Sequence, residues 1–141
     1  MSRKNSDKLM DTLLTFAQKM LDKNGEYYPF GASMDKKEEI AIVSGKTEND
    51  HPESNELIDI IKNGLINAVK KDEVIAVGIC FDVRIALPGN NEKSDAVQID
   101  LEHIDGQSIS VYMPYKKRIM RSIKYGDLIA VKKDKSIFMA T

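Results

Sequence analysis

The chain has 141 residues, 42% of them hydrophobic and 30% charged, with 21 basic and 22 acidic side chains and a formal net charge of −1. That balance excludes a disordered polyelectrolyte and lacks the basic excess of a nucleic-acid binder. One cysteine, Cys80, excludes an internal disulfide framework. A length in the range of one domain, with no linker composition, predicts a single domain over 1–141.

The first element reads as a helix over 6–24. Leu9, Leu13, Phe16 and Met20 recur at helical spacing, and Met10, Leu14, Ala17 and Leu21 widen the stripe. Ser6 is positioned as its N-cap, and Asn24-Gly25 as its stop. The aromatic segment 26–34 favours an extended chain, with Pro29 placing it at a sheet edge or at the start of a strand. A charged turn at 35–38 and a strand over 39–44 complete a hairpin. A second helix is expected over 52–70, with Asp50 as cap, Pro52 in the first turn, and a wide apolar face from Leu57 to Val69. Gly64 inside it points to a close approach of helix and sheet.

The second half is β-rich. Residues 73–87 alternate, with Ile75, Val77, Ile79, Phe81, Val83, Ile85 and Leu87 on one face. After a break at 88–91, Val97, Ile99 and Leu101 alternate with polar residues, as do Ile109, Val111, Met113 and Tyr115. A two-residue turn at Asp105-Gly106 would set Leu101 against Ser110. A three-residue loop, Ile104-Asp105-Gly106, sets Leu101 opposite Ile109 and Ile99 opposite Val111, and is the preferred register. A last hairpin is expected from 128–132 and 136–140, turning at Lys133-Asp134. The expected class is α+β: a largely antiparallel sheet of five to six strands, with two amphipathic helices packed on one face, in the order α-β-β-α-β-β-β-β(-β).

Candidate chemistry gathers on the polar side of these strands. Cys80, Asp82 and Arg84 share one parity, as do Gln98, Asp100 and Glu102, and then Ser108, Ser110 and Tyr112. Asp82, Arg84, Asp100, Glu102 and Tyr112 form the candidate binding set, because converging carboxylates, a guanidinium and a phenol can hold a polar ligand. The competing account is a wetted sheet face, with Arg84 paired to Asp100 across the ladder. His51 and His103 lack partners at metal-ligand spacing, so no metal is expected. Cys80 lies between Ile79 and Phe81, where a small packing residue is the plainer reading than a nucleophile. Gly45-Lys46-Thr47 resembles the end of a phosphate loop, but Ile40 stands where its first glycine belongs. The run Lys116, Lys117, Arg118, Arg121, Lys124 could meet phosphates or an acidic partner. Its plainer reading is a solvated connection with Ile119, Met120 and Ile123 tucked in as a short helix. Tyr27 and Tyr28 read as core packing under the first helix, or as an interface if exposed.

The segments Tyr28-Pro29-Phe30-Gly31-Ala32, Glu56-Leu57-Ile58-Asp59, Asp95-Ala96-Val97 and Glu102-His103-Ile104-Asp105-Gly106 together resemble a group of small bacterial α+β proteins with no assigned function. The order of elements is similar to the roadblock and profilin-like class at the level of fold, although this chain ends in strands where that class has a helix. The resemblance implies no catalytic residues and no cofactor.

Three functions stay open. The first is a non-catalytic protein-binding module, of which an immunity-type inhibitor of a toxin is one form. The second is a small-ligand sensor or carrier using the five candidate residues, and the third an enzyme with those carboxylates as acid and base. Cysteine usage and the absence of a long apolar run predict a cytoplasmic protein with no membrane or nucleic-acid partner.

Overall fold

The computed structural model describes residues 2–45, 52–87, 89, 91–118 and 122–138. Helix α1 (Ser2–Asn24) leads into a hairpin of β1 (Phe30–Asp35) and β2 (Ile40–Ser44). Helix α2 (Ser54–Lys70) follows, then β3 (Val74–Ala86), β4 (Lys93–His103), β5 (Ser108–Lys117), β6 (Ile123–Tyr125) and β7 (Ile129–Lys132). The class is α+β, as expected, but the strands number seven among the described residues rather than five to six. They form one antiparallel sheet in the order β2-β1-β3-β4-β5-β6, with β7 also pairing β5.

The helices do not share one face. Helix α1 packs Leu9, Leu13, Leu14, Ala17 and Leu21 against Ala76, Cys80, Val97, Ile99, Leu101, Val111 and Met113. Helix α2 packs Ile61 and Leu65 against Val77 and Ile79, with Ile137 and Phe138 closing that core. Neighbouring residues on a strand point to opposite faces, so the sheet is sandwiched between the helices. Close approach falls on strand glycines, not on Gly64. A Cβ on Gly78 would lie 2.5 Å from Leu13 Cδ1, and one on Gly31 2.8 Å from Ile61 Cγ2, whereas Gly64 has nothing within 4 Å.

The parity of β3 is also corrected. Cys80 stands opposite Ile99 and Asp82 opposite Val97, so even residues of β3 share a face with odd residues of β4 and β5. The odd residues Val77 and Ile79 face α2 instead. A register shift between Met34 and Asp35, opposite 74–76, puts both Ile75 and Ala76 toward the α1 core while Val74 joins the α2 core.

Local detail follows the chain chemistry. Ser6 is not the N-cap of α1; it sits inside the helix, and its hydroxyl donates to Gln107 Oε1 at 2.7 Å. Phe16 is 41% exposed at the margin of the α1 stripe, tilted on Phe30 at 4.9 Å. Gly25 closes the helix through its N–H to Leu21 O. The Asp35 carboxylate accepts from Lys37 and Glu39 N–H and shapes the β1–β2 turn. Asp50 and His51 lie outside the described residues, and Glu53 occupies the N-cap of α2 without a side-chain bond. The β4–β5 hairpin has the expected register, Leu101 opposite Ile109 and Ile99 opposite Val111, with Gly106 at φ +109°. Ile123 belongs to β6, not to a short helix; Ile119, Met120 and Arg121 lie outside the described residues. After β7 no strand forms over 136–138, and 139–140 lie outside the described residues. No helix is long and apolar enough to cross a membrane, among the described residues.

Candidate functional site

The parity of β3 divides the five candidate residues. Asp82 and Arg84 lie on the α1 side of the sheet; Asp100, Glu102 and Tyr112 lie on the α2 side. They do not form one site.

On the α2 side the polar groups bind one another. Asp100 Oδ1 accepts from Gln98 Nε2 at 2.9 Å and from Ser110 Oγ at 2.6 Å. The Glu102 side chain is 1% exposed and holds the segment after β7. It accepts from Lys133 Nζ at 2.7 Å, from Ser136 N and Oγ, and from the N–H groups of Ile137 and Phe138. Burial pushes this carboxyl up, but Lys133 and the three backbone N–H groups outweigh it and hold it below the ordinary glutamate value. Glu102 is therefore a fastening for residues 136–138, with no lone pair left for a ligand. Nothing in the sequence signalled this role, because its partners are backbone groups more than thirty residues away.

On the α1 side the helix ends before the strands do. The register gathers Asp82, Arg84, Asp95, Tyr115 and Lys117 on this side, with Tyr115 buried and Asp82, Arg84 and Lys117 exposed. Tyr115 OH donates to Asp82 Oδ1 at 2.7 Å. Arg84 Nη1 meets Asp95 Oδ1 at 3.1 Å, so its partner is the directly opposite Asp95 and not Asp100. Tyr125 OH donates to Asp22 Oδ1 at 2.8 Å, tying β6 to the last turn of α1. Beside this platform, Met20, Asn24, Glu26, Tyr27, Tyr28, Ser54 and Asp82 line an open cleft of about 590 Å³. Tyr28 is 55% exposed on its rim, while Tyr27 turns inward against Phe30 and accepts from Cys80 Sγ at 3.9 Å.

The electrostatics reflect partial burial, with Asp82 itself exposed at the edge of the cleft. Loss of water pushes the Asp82 carboxyl up; the Tyr115 bond opposes this, Asp95 adds to it, and Lys117 opposes it. Burial also pushes up Tyr27, Cys80 and Tyr115. Cys80 is fully buried and held as the thiol, which is not the nucleophilic form. His103 is buried, with Asn5 at 3.3 Å on one ring nitrogen and Asp105 on the other. No group of three His, Cys, Asp or Glu side chains is placed to hold a metal, among the described residues. In the basic run, Lys116 and Lys124 stand directly opposite on β5 and β6, a like-charge pairing that costs a few tenths of a kcal/mol or more.

No protein-family model, curated protein or solved structure matches the chain.

Proposed function

We propose that the chain is a non-catalytic protein-binding module, with the cleft at the C-terminal end of α1 as its contact surface. The observation that carries this reading is Tyr28, 55% exposed on the cleft rim beside the inward Tyr27 and the acids Glu26 and Asp82. Tyrosine presents a large, stiff contact area at low entropic cost, which is why it concentrates in interface hot spots. The groups that catalysis would draw on are engaged elsewhere: Cys80 is buried as a thiol, and Asp100 and Glu102 are satisfied internally. An immunity-type inhibitor that masks a toxin is one form of such a module.

A photo-crosslinking amino acid at position 28, in the source cell at native expression, tests the reading. The expected result is one discrete heavier adduct, absent when the same group stands at the exposed Lys70. No adduct at position 28 overturns it.

A second reading, a small-ligand carrier, draws on the cleft volume, which falls within the ~300–1,000 Å³ of ordinary ligand sites. Its original five-residue site does not exist as one surface, so Asp82, Tyr27 and Tyr28 would carry the binding. Saturable protection of this cleft by a small-molecule extract of the source cell, in amide exchange, is the outcome that would favour it.

A further inference from the structure

The two sides of the sheet end differently. On one side, β6 and β7 are strands of three and four residues that carry Lys124 and Lys132. Short, charged strands are the usual protection of a sheet edge. On the other side stands β2, paired only to β1 among the described residues. Residues 40–45 contain no charge and no proline, and the β1–β2 register runs without a shift.

The hydrogen-bond phase of β2 follows from one contact. Asp35 N–H donates to Glu39 O at 3.0 Å, which makes 35 and 39 a hydrogen-bonded pair. Alternation along an antiparallel ladder then makes Ser33–Ala41 and Gly31–Val43 bonded pairs. Ile40, Ile42 and Ser44 belong to the intervening pairs, so their N–H and C=O groups point away from β1. Ile42 is 43% exposed at the middle of this row. On the same face Phe16, 41% exposed, leans on Phe30, whose partner across the ladder is Ser44.

We infer that β2 pairs with β2 of a second copy, antiparallel, about a two-fold axis through Ile42. In that register Ile42 faces Ile42, Ile40 faces Ser44 and Ala41 faces Val43. The outward groups of each copy then meet those of the other in reciprocal pairs. Glu39 falls opposite the uncharged Gly45, so no like charges are opposed along 39–45. The axis is perpendicular to the sheet and keeps both α1 helices on one face, where Ile42 and Phe16 of the two copies line a single apolar strip. An isologous contact of this kind closes on itself and makes a dimer, not a fibre. A five-residue strand pair is small against the ~1,200–2,000 Å² of stable interfaces, so the dimer is weak, with Kd on the order of 100 µM.

Analytical ultracentrifugation of the full chain from about 10 µM to about 1 mM spans that affinity. A monomer–dimer equilibrium is expected. Ile42→Lys sets two ammonium groups against each other on the axis and should weaken it at least tenfold. Ile42→Pro removes only an outward N–H and should abolish it, with circular dichroism reporting an intact fold for both variants. In amide exchange, Ile42 and Ser44 should gain protection with concentration while Ala41 and Val43 stay protected throughout. A monomer at the highest concentration, or a dimer indifferent to both substitutions, overturns the inference; so does a heterologous extended peptide taking the edge of a monomeric chain.

Discussion

Glu102→Gln is the sharpest test of how the end of the described chain is held. In the native protein Glu102 Oε1 accepts from Ile137 and Phe138 N–H, and Oε2 accepts from Lys133 Nζ, Ser136 N and Ser136 Oγ. Glutamine keeps the first oxygen and puts an NH₂ group in place of the second. Three donors then face a donor. The Ser136 hydroxyl can turn and accept, which leaves the Ser136 N–H without an acceptor and the Lys133 ammonium without its carboxylate, holding Asp134 O at 3.1 Å. A stranded buried donor costs ~1–3 kcal/mol and a broken buried ion pair ~3–5 kcal/mol. Lys133 is 16% exposed and can recover some hydration, so the expected loss is about 3 kcal/mol in urea unfolding. The pH dependence carries the same signature. The folded carboxyl lies below its ordinary value of 4.5, so its contribution is complete above that value and disappears as pH falls through the lower folded one. The gap between native protein and variant should be flat above about pH 5 and close in acid. A loss under ~1 kcal/mol, or a gap that ignores acid, would refute the account of the fastening.

Gly78→Ala places a methyl group 2.5 Å from Leu13 Cδ1 and 3.0 Å from Leu101 Cδ2, and should cost ~1–3 kcal/mol by overpacking. Gly64→Ala, with open space around it, should stabilise by about 1 kcal/mol through helix propensity; opposite signs in urea unfolding check the pair together. Tyr115→Phe removes the donor that restrains the Asp82 carboxyl. Its carbon-detected NMR titration should lie above the ordinary aspartate midpoint in the native protein and rise further in the variant, and an unmoved midpoint would refute the 2.7 Å bond as its restraint. Because the folded value lies above the unfolded one, Asp82 withdraws stability as pH rises through that interval.

The alternation of β4 and β5 was legible because each has one apolar side, and the three-residue hairpin followed from matching those sides at Leu101 and Ile109. Strand β3 defeated the same logic. It is covered by α1 on one side and α2 on the other, so periodicity cannot say which side is inside. Asp82 and Arg84 made its even side look wet, yet Ala76, Gly78 and Cys80 are small because a helix lies on them; small residues in a row were the signal available. The loop after Ala86 hid the parity that joins β3 to β4, and with it the division of the candidate residues between two faces. Glu26, Tyr27 and Tyr28 were visible as an aromatic, acidic segment, but only the way α1 ends beside Asp82 makes them a cleft.

The seat of α1 has a consequence for how the chain comes together in time. The helix is made before most of its seat, because its apolar stripe rests chiefly on residues 76–115. Its side-chain ties to His103 and Gln107 fall within that stretch, and the one from Tyr125 to Asp22 lies further along still. Local pairing within the β3–β4–β5 meander can proceed without it, since neighbouring strands close the shortest loops. While those strands are being made, then, Leu9, Leu13, Leu14 and Leu21 wait uncovered for most of their seat, and a stretch made well before it is among the last to be sheltered from its neighbours.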